Sequence, residues 1–237
     1  LRNSSAASDV YKRQGKLEAI EIRDNDPNVY LGKSVNKAVN NINHVISAEI
    51  NASTAFDQES FDKFLIELDG TSNKERLGAN TILALSIAFA KAIANKNNIQ
   101  LYQSLTEDSS YMLPIPMMNI INGGAHANNK LDFQEFMILP IGFDKITESI
   151  RAGAEIFHTL KNALNRINMP TSVGDEGGFA PNLNSNFEAI DIILDSISKA
   201  GYKPGKDIYL GLDVASSEFY RDGVYVLESE NLKLSTD

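Results

Sequence analysis

A chain of 237 residues with 43% hydrophobic and 22% charged residues has the make-up of a soluble globular protein, long enough for one large domain or two smaller ones. Its formal net charge of −9, without any Lys/Arg cluster, excludes a nucleic-acid-binding surface, which needs concentrated cations. With no cysteine, disulfides, thiolate metal ligands and a Cys nucleophile are excluded too, which suits a reducing cytoplasm.

The first residue is Leu1, and residues 1–14 are small and polar with neither a helical nor a strand period. They read as a non-native or disordered leader, not a signal peptide, because no basic stretch precedes an apolar one. Val35, Ala38, Val39, Ile42, Val45 and Ile46 recur at helical spacing, so a helix capped by Ser34 is expected. Phe61, Phe64, Leu65 and Leu68 predict a second helix ending at Gly70. Thr81 to Ala94 is apolar nearly all round, as in a buried central helix; it carries Lys91 and is too short for a membrane span. These helices would make a mainly helical first unit over residues 15–113.

Pro114 and Pro116 mark a boundary, and a second unit is expected over 114–237. Met117 to Ile121, Phe133 to Leu139 and Ile208 to Asp213 are short runs fit for strands. Ile146, Ile150, Phe157, Leu160, Leu164 and Ile167 share one face of a long helix. Ser185 with Glu188 predicts a capping box for the helix over Phe187, Ile190, Ile193, Leu194 and Ile197, closed by Gly201. Asp222-Gly223 is a hairpin signal. Strands alternating with long helices predict an α/β unit. The chain ends on Ser235-Thr236-Asp237, a helix-start cluster with nothing after it, and reads as an internal fragment.

Polar groups gather in this second unit. Gly174-Asp175-Glu176-Gly177-Gly178 sets two acids between glycines, which reads either as an acidic surface turn or as chemistry held on a rigid scaffold. Asn122-Gly123-Gly124-Ala125-His126 is a flexible loop whose histidine either meets an anion, moves a proton, or is solvated and idle. Gln134-Glu135 lies in an apolar run, where a polar pair is costly unless satisfied. Asp213 ends an apolar strand and is either a hard-cation ligand or a cap for Ala215-Ser216-Ser217. Glu135, Glu176 and Asp213 are thus carboxylates at strand ends, and in a barrel the C-terminal strand ends meet on one face. Clustered carboxylates hold a divalent cation, a shifted proton, or both, so metal-assisted acid–base chemistry on a small anion is expected.

The segments Glu18 to Asp24, Tyr30 to Lys33, Pro116 to Ala127, Gln134 to Ile138, Gly174 to Leu183 and Leu212 to Tyr220 occur in the order found in enolases. From about residue 15 to the end, the chain resembles that family. The resemblance implies an α+β N-terminal domain, here incomplete, followed by about the first half of an enolase-type β/α barrel. It implies reversible, Mg²⁺-dependent dehydration of 2-phosphoglycerate to phosphoenolpyruvate in glycolysis, in the cytoplasm, with surface or secreted pools by family analogy. It implies a homodimer or higher homo-oligomer at full length. By the same resemblance Glu176 is the acid that assists hydroxide departure and Glu135 its carboxylate partner. His126 closes on the phosphate side of the substrate, Gln134 lines the site, and Asp213 is one Mg²⁺ ligand. The family's serine loop, its other two carboxylate ligands and its lysine base have no counterpart here; Leu17 and Val214 also depart from its pattern. The alternative expectation is therefore a non-catalytic chain, an inert fragment or interaction module, aggregating through unpaired strand edges.

Overall fold

The computed structural model describes residues 18–50, 55–174 and 176–236. The predicted leader, residues 1–14, lies outside them. The chain forms two compact units, Leu1–Tyr111 and Met112–Asp237.

In the first unit a 3₁₀ turn (Tyr30–Gly32) leads to α1 (Asn36–Asn40), a π-helical stretch (Asn41–Ile46) and α2 (Ser47–Glu49). Ser34 does not cap α1. The cap comes from further back: Asp24 accepts from Asn36 N at 2.9 Å and Lys37 N at 2.8 Å, while Ser34 Oγ donates to Asp24 at 2.6 Å. An anion at a helix N-terminus answers both the unpaired N–H groups and the helix dipole. The hydrogen bond from Ser34, then those from the backbone, hold the Asp24 carboxyl down at about 2. Along this stretch Ala38 and Ile46 are buried while Val39 and Val45 are exposed.

Helix α3 (Gln58–Asp69) begins with Asp57 and Ser60 capping each other and ends at Gly70, whose φ of 69° is the left-handed conformation expected of a helix-terminating glycine. Helix α4 (Ala79–Lys96) is followed by the single turn α5 (Leu101–Ser104). The core comprises Ile46, Phe61, Leu65 and Leu77, with Phe61 stacked on Phe89 at 4.3 Å. The expectation of a buried α4 does not hold: Leu83 and Ile87 are exposed, and only Thr81 and Ala94 are fully buried. The helix packs on α3, α5, α1 and the π-helical stretch, with Ile82, Leu85 and Phe89 half-buried against the core, while Leu83 and Ile87 face outward.

The second unit holds β1 (Met118–Asn122), β2 (Glu135–Leu139), α6 (Ile146–Arg166), α7 (Asn186–Lys199) and β3 (Tyr209–Asp213). A separate meander follows, of β4 (Tyr220–Arg221), β5 (Val224–Leu227) and β6 (Leu232–Leu234), with Asp222-Gly223 at its first turn. The main sheet runs β1-β2-β3, and both pairings are antiparallel. On α6 the buried stripe is Ser149, Ala152, Gly153, Ile156, Leu160 and Leu164, while Ile146, Ile150 and Ile167 are exposed. The helix turns its small residues to the sheet: a Cβ on Gly153 would fall 2.2 Å from Met118 Sδ. Only half of the expected capping box forms on α7. Ser185 Oγ accepts from Glu188 N at 3.0 Å, but the Glu188 carboxylate turns back to Asn184 N at 2.7 Å. The shared core includes Ile120, Ile121, Phe136, Ile138, Ile156, Leu160 and Ile193, and Phe157 stacks on Phe179 at 4.2 Å. That contact fastens the acidic turn to the helix layer.

Candidate active site

Antiparallel pairing changes which strand ends meet. Glu135 is not at the C-terminal end of a strand: it opens β2. Because β2 runs against its neighbours, its first residue lies beside the last residues of β1 and β3, so Asn122 and Asp213 are its two register partners. Gln134, just before the strand, donates N–H to Asp213 O at 3.1 Å, and its side-chain amide reaches Asp213 Oδ2 at 3.4 Å. Asp213 Oδ1 also accepts from Ala215 N at 3.2 Å. Both open readings of Asp213, local cap and outward-facing hard oxygen donor, are thus compatible with one carboxylate.

His126 sits in a short 3₁₀ turn (Gly124–His126) between β1 and β2. Its side chain is only 6% exposed, and Nδ1 stands 3.4 Å from Glu135 Oε1. Among the described residues neither ring nitrogen has a hydrogen-bond partner. A buried imidazole left in that state is costly, so it is not a solvated loop histidine.

The acidic turn is a tight hairpin. Val173 bridges Phe179, Gly174 N donates to Gly178 O at 2.9 Å, and Gly177 N donates to Gly174 O at 3.2 Å. Phe179 then runs parallel to β1, its N–H donating to Ile120 O and its carbonyl accepting from Asn122 N. At Gly178 a Cβ would come within 2.6 Å of the Ile120 carbonyl carbon, so only glycine allows this approach. Glu176 is thereby carried at the crest of a turn docked on β1, half-buried.

Carboxamides that sequence reasoning left without a role hold this arrangement together. A bulge between Asn119 and Ile121 puts Asn119 and Asn122, three apart, on the same side of a strand whose side chains would otherwise alternate. Asn119 Nδ2 donates to Asn122 Oδ1 at 2.6 Å and to Glu176 O at 3.3 Å. Asn122, fully buried, donates to Gly178 O at 2.7 Å. Asn186 and Asp132 tie the β2 approach to the β5–β6 turn: Asp132 accepts from Glu228 N, Ser229 N and Ser229 Oγ, and pairs with the Asn186 amide. A usable signal was Asn122 at the end of an apolar strand, where burial demands partners.

A cleft of about 650 Å³ opens on the other flank of the His126 loop, lined by Gly124, Ala125, Lys130, Arg221 and Glu228 among others. Glu135, Glu176 and Asp213 do not line it. No group of three His, Asp or Glu among the described residues could hold a metal ion. A Mg²⁺ held by Asp213 would need its remaining ligands from water, substrate or other oxygens.

Residues 110–237 match the family model of the enolase C-terminal TIM barrel domain, and residues 3–105 match that of the enolase N-terminal domain. The chain belongs to the enolase family. Its fold class follows: an enolase N-terminal domain and an enolase barrel domain whose three-stranded main sheet does not close. The family carries an enolase-superfamily, lyase-type function. Among the described residues of this enolase-family chain, no helix is long and apolar enough to cross a membrane.

Proposed function

We propose that the gene encoding this chain specifies an enolase acting on 2-phosphoglycerate, which it dehydrates reversibly to phosphoenolpyruvate in glycolysis. The observation that carries this reading is the meeting of Gln134, Glu135 and Asp213 at one sheet end, with His126 buried against Glu135 and the Glu176 turn docked on the neighbouring strand. Transfer of the C2 proton to a general base, by the family resemblance a lysine with no counterpart among these 237 residues, and departure of the C3 hydroxyl as water form the C2–C3 double bond. Hydroxide leaves only if an acid protonates it. Glu176 is assigned that proton. Glu135 is its carboxylate partner, and a second negative charge close by favours the protonated form of such an acid. His126, with Nδ1 beside Glu135, closes on the phosphate side, and Gln134 lines the substrate and steadies Asp213. Mg²⁺ is the proposed cofactor, with Asp213 one of its ligands; when bound it would neutralise charge at the substrate carboxylate. A cytoplasmic location and a homodimeric or larger assembly belong to the same proposal.

The test is conversion of 2-phosphoglycerate, with and without Mg²⁺, by the longest product of the gene. No Mg²⁺-dependent dehydration sinks the reading. A second reading applies to the 237-residue polypeptide alone: it is non-catalytic, an inert fragment or interaction module. It is favoured by a main sheet of three strands among the described residues, where a β/α barrel closes with eight. Dehydration by the 237-residue chain itself would refute it.

A further inference from the structure

The loop between β1 and β2 carries His126, but a different side chain sets its shape. Asn129 lies half-buried on the descending limb and uses both ends of its carboxamide. Nδ2 donates to the carbonyls of Asn122 and Pro181, each at 2.9 Å, and Oδ1 accepts from Leu131 N at 3.2 Å. Three segments therefore share one group: the end of β1, the exit of the acidic turn, and the limb leading to Glu135. Only a carboxamide does this. Two carbonyls require two N–H donors and the Leu131 amide requires an acceptor; a carboxylate has no donor, and Lys or Arg no acceptor.

Around Asn129 the base of the loop is closed. Gly123 N donates to Gln134 O at 2.9 Å and Gly124 N to Leu131 O at 2.8 Å. A Cβ on Gly123 would fall 2.4 Å from Phe133 O, so the two limbs touch backbone to backbone. Above this base, the turn bearing His126 is held through its N–H to Gly123 O at 3.0 Å and the side-chain contact with Glu135.

We propose that Asn129 is a positioning residue: it holds the His126 loop and the Glu176 turn in one register, so that both side chains address a single bound molecule. This rests on the enolase reading above. Displacements of about 1 Å at such a distance from the chemistry cost up to about a hundredfold in rate.

The experiment uses Asn129→Ala and Asn129→Gln in the longest product of the gene, with kcat, KM, circular dichroism and the imidazole C2-proton resonance of His126, assigned by its loss in His126→Gln. Asn129→Gln keeps every polar group but displaces it by one methylene. Folded variants are expected to lose about ten- to a hundredfold in kcat, with the His126 resonance shifted and those of His44 and His158 in place. A purely structural role would lower the folded fraction without moving His126 selectively. The proposal is overturned by a folded Asn129→Ala, or by a folded Asn129→Gln should the alanine variant not fold, with wild-type kcat. It is overturned equally by a loss of kcat that leaves the His126 resonance unmoved. A wild-type protein that performs no dehydration defeats the enolase reading instead, while the resonance still reports whether Asn129 sets the loop.

Discussion

Two buried polar centres, one in each unit, are built from the same materials and end in opposite states. In the first unit Asp69, 1% exposed, accepts from Thr71 N at 3.0 Å, from Thr71 Oγ1, and from Leu77 N at 2.7 Å, while its carbonyl accepts from Arg76 Nε at 2.8 Å. Both carboxylate oxygens are taken, and the knot fastens the loop from α3 to α4. In the second unit the carboxamides of Asn122 and Asn129 are equally engaged, yet among the described residues neither His126 ring nitrogen nor Asn119 Oδ1 has a hydrogen-bond partner, His126 Nδ1 having only the 3.4 Å ionic contact with Glu135. A saturated polar knot is architecture. A saturated frame around groups that lack a hydrogen-bond partner among the described residues costs stability.

Four changes would break or sharpen that contrast. The largest expected effect is on rate: Glu176→Gln, which cannot give up a proton, should lower kcat of the longest gene product by about 10²–10⁴-fold with its circular dichroism retained. Next is stability in the other unit. Asp69→Ala leaves the Leu77 and Thr71 amides buried and unpaired and should cost about 3 kcal/mol in urea denaturation, with kcat per folded molecule unchanged. Gly178→Ala forces the acidic turn off β1, so a loss of about 1–3 kcal/mol is expected together with reduced kcat. An alanine variant with wild-type stability would show that the turn is not seated as described.

The smallest effect is on pH dependence. Burial opposes the ionised form of Asp69, but hydrogen bonds from Thr71 and Leu77 outweigh it and lower its pKa; the Asp24 cap is lowered to about 2, chiefly by Ser34. Carboxyls with folded values below their unfolded value contribute stability above about pH 4, and that contribution fades as pH falls toward the folded values. Melting temperature should therefore decline between about pH 4 and 2, and Asp24→Asn should flatten the decline. An unchanged slope would remove Asp24 from its capping role.

Local signals were readable where one segment contains its own answer. Gly70 ends α3 and Asp222-Gly223 turns the hairpin because left-handed φ values favour such residues. The runs 117–121, 133–139 and 208–213 read as strands, and the observed bounds of 118–122, 135–139 and 209–213 fall within a residue or two of them. What failed was long-range. Ser34 has the chemistry of a cap, but Asp24 reaches the same N–H groups from 12 residues upstream. Apolar spacing placed Ile146 and Ile150 inside, whereas the sheet accepts the neighbouring face because Gly153 lets Met118 in. Glu135 was visible as an unusual acid in an apolar run, but its position at a strand's start depends on strand direction, which no local pattern encodes.

Residue types and spacing alone determined the element positions, the two family domains and the candidate acids, since capping, turn and periodic preferences act within a few residues. Tertiary structure alone decided the antiparallel register that sets Glu135 beside Asp213, the bulge that turns Asn119 toward Asn122, and the reach of Asn129 to Pro181. The bulge depends on the pairing of β1 with β2, and the other two on hydrogen bonds between segments far apart, as in the Asn129–Pro181 separation of 52 and the Gln134–Asp213 separation of 79. Such partners are chosen only when strands pair and buried amides must be satisfied.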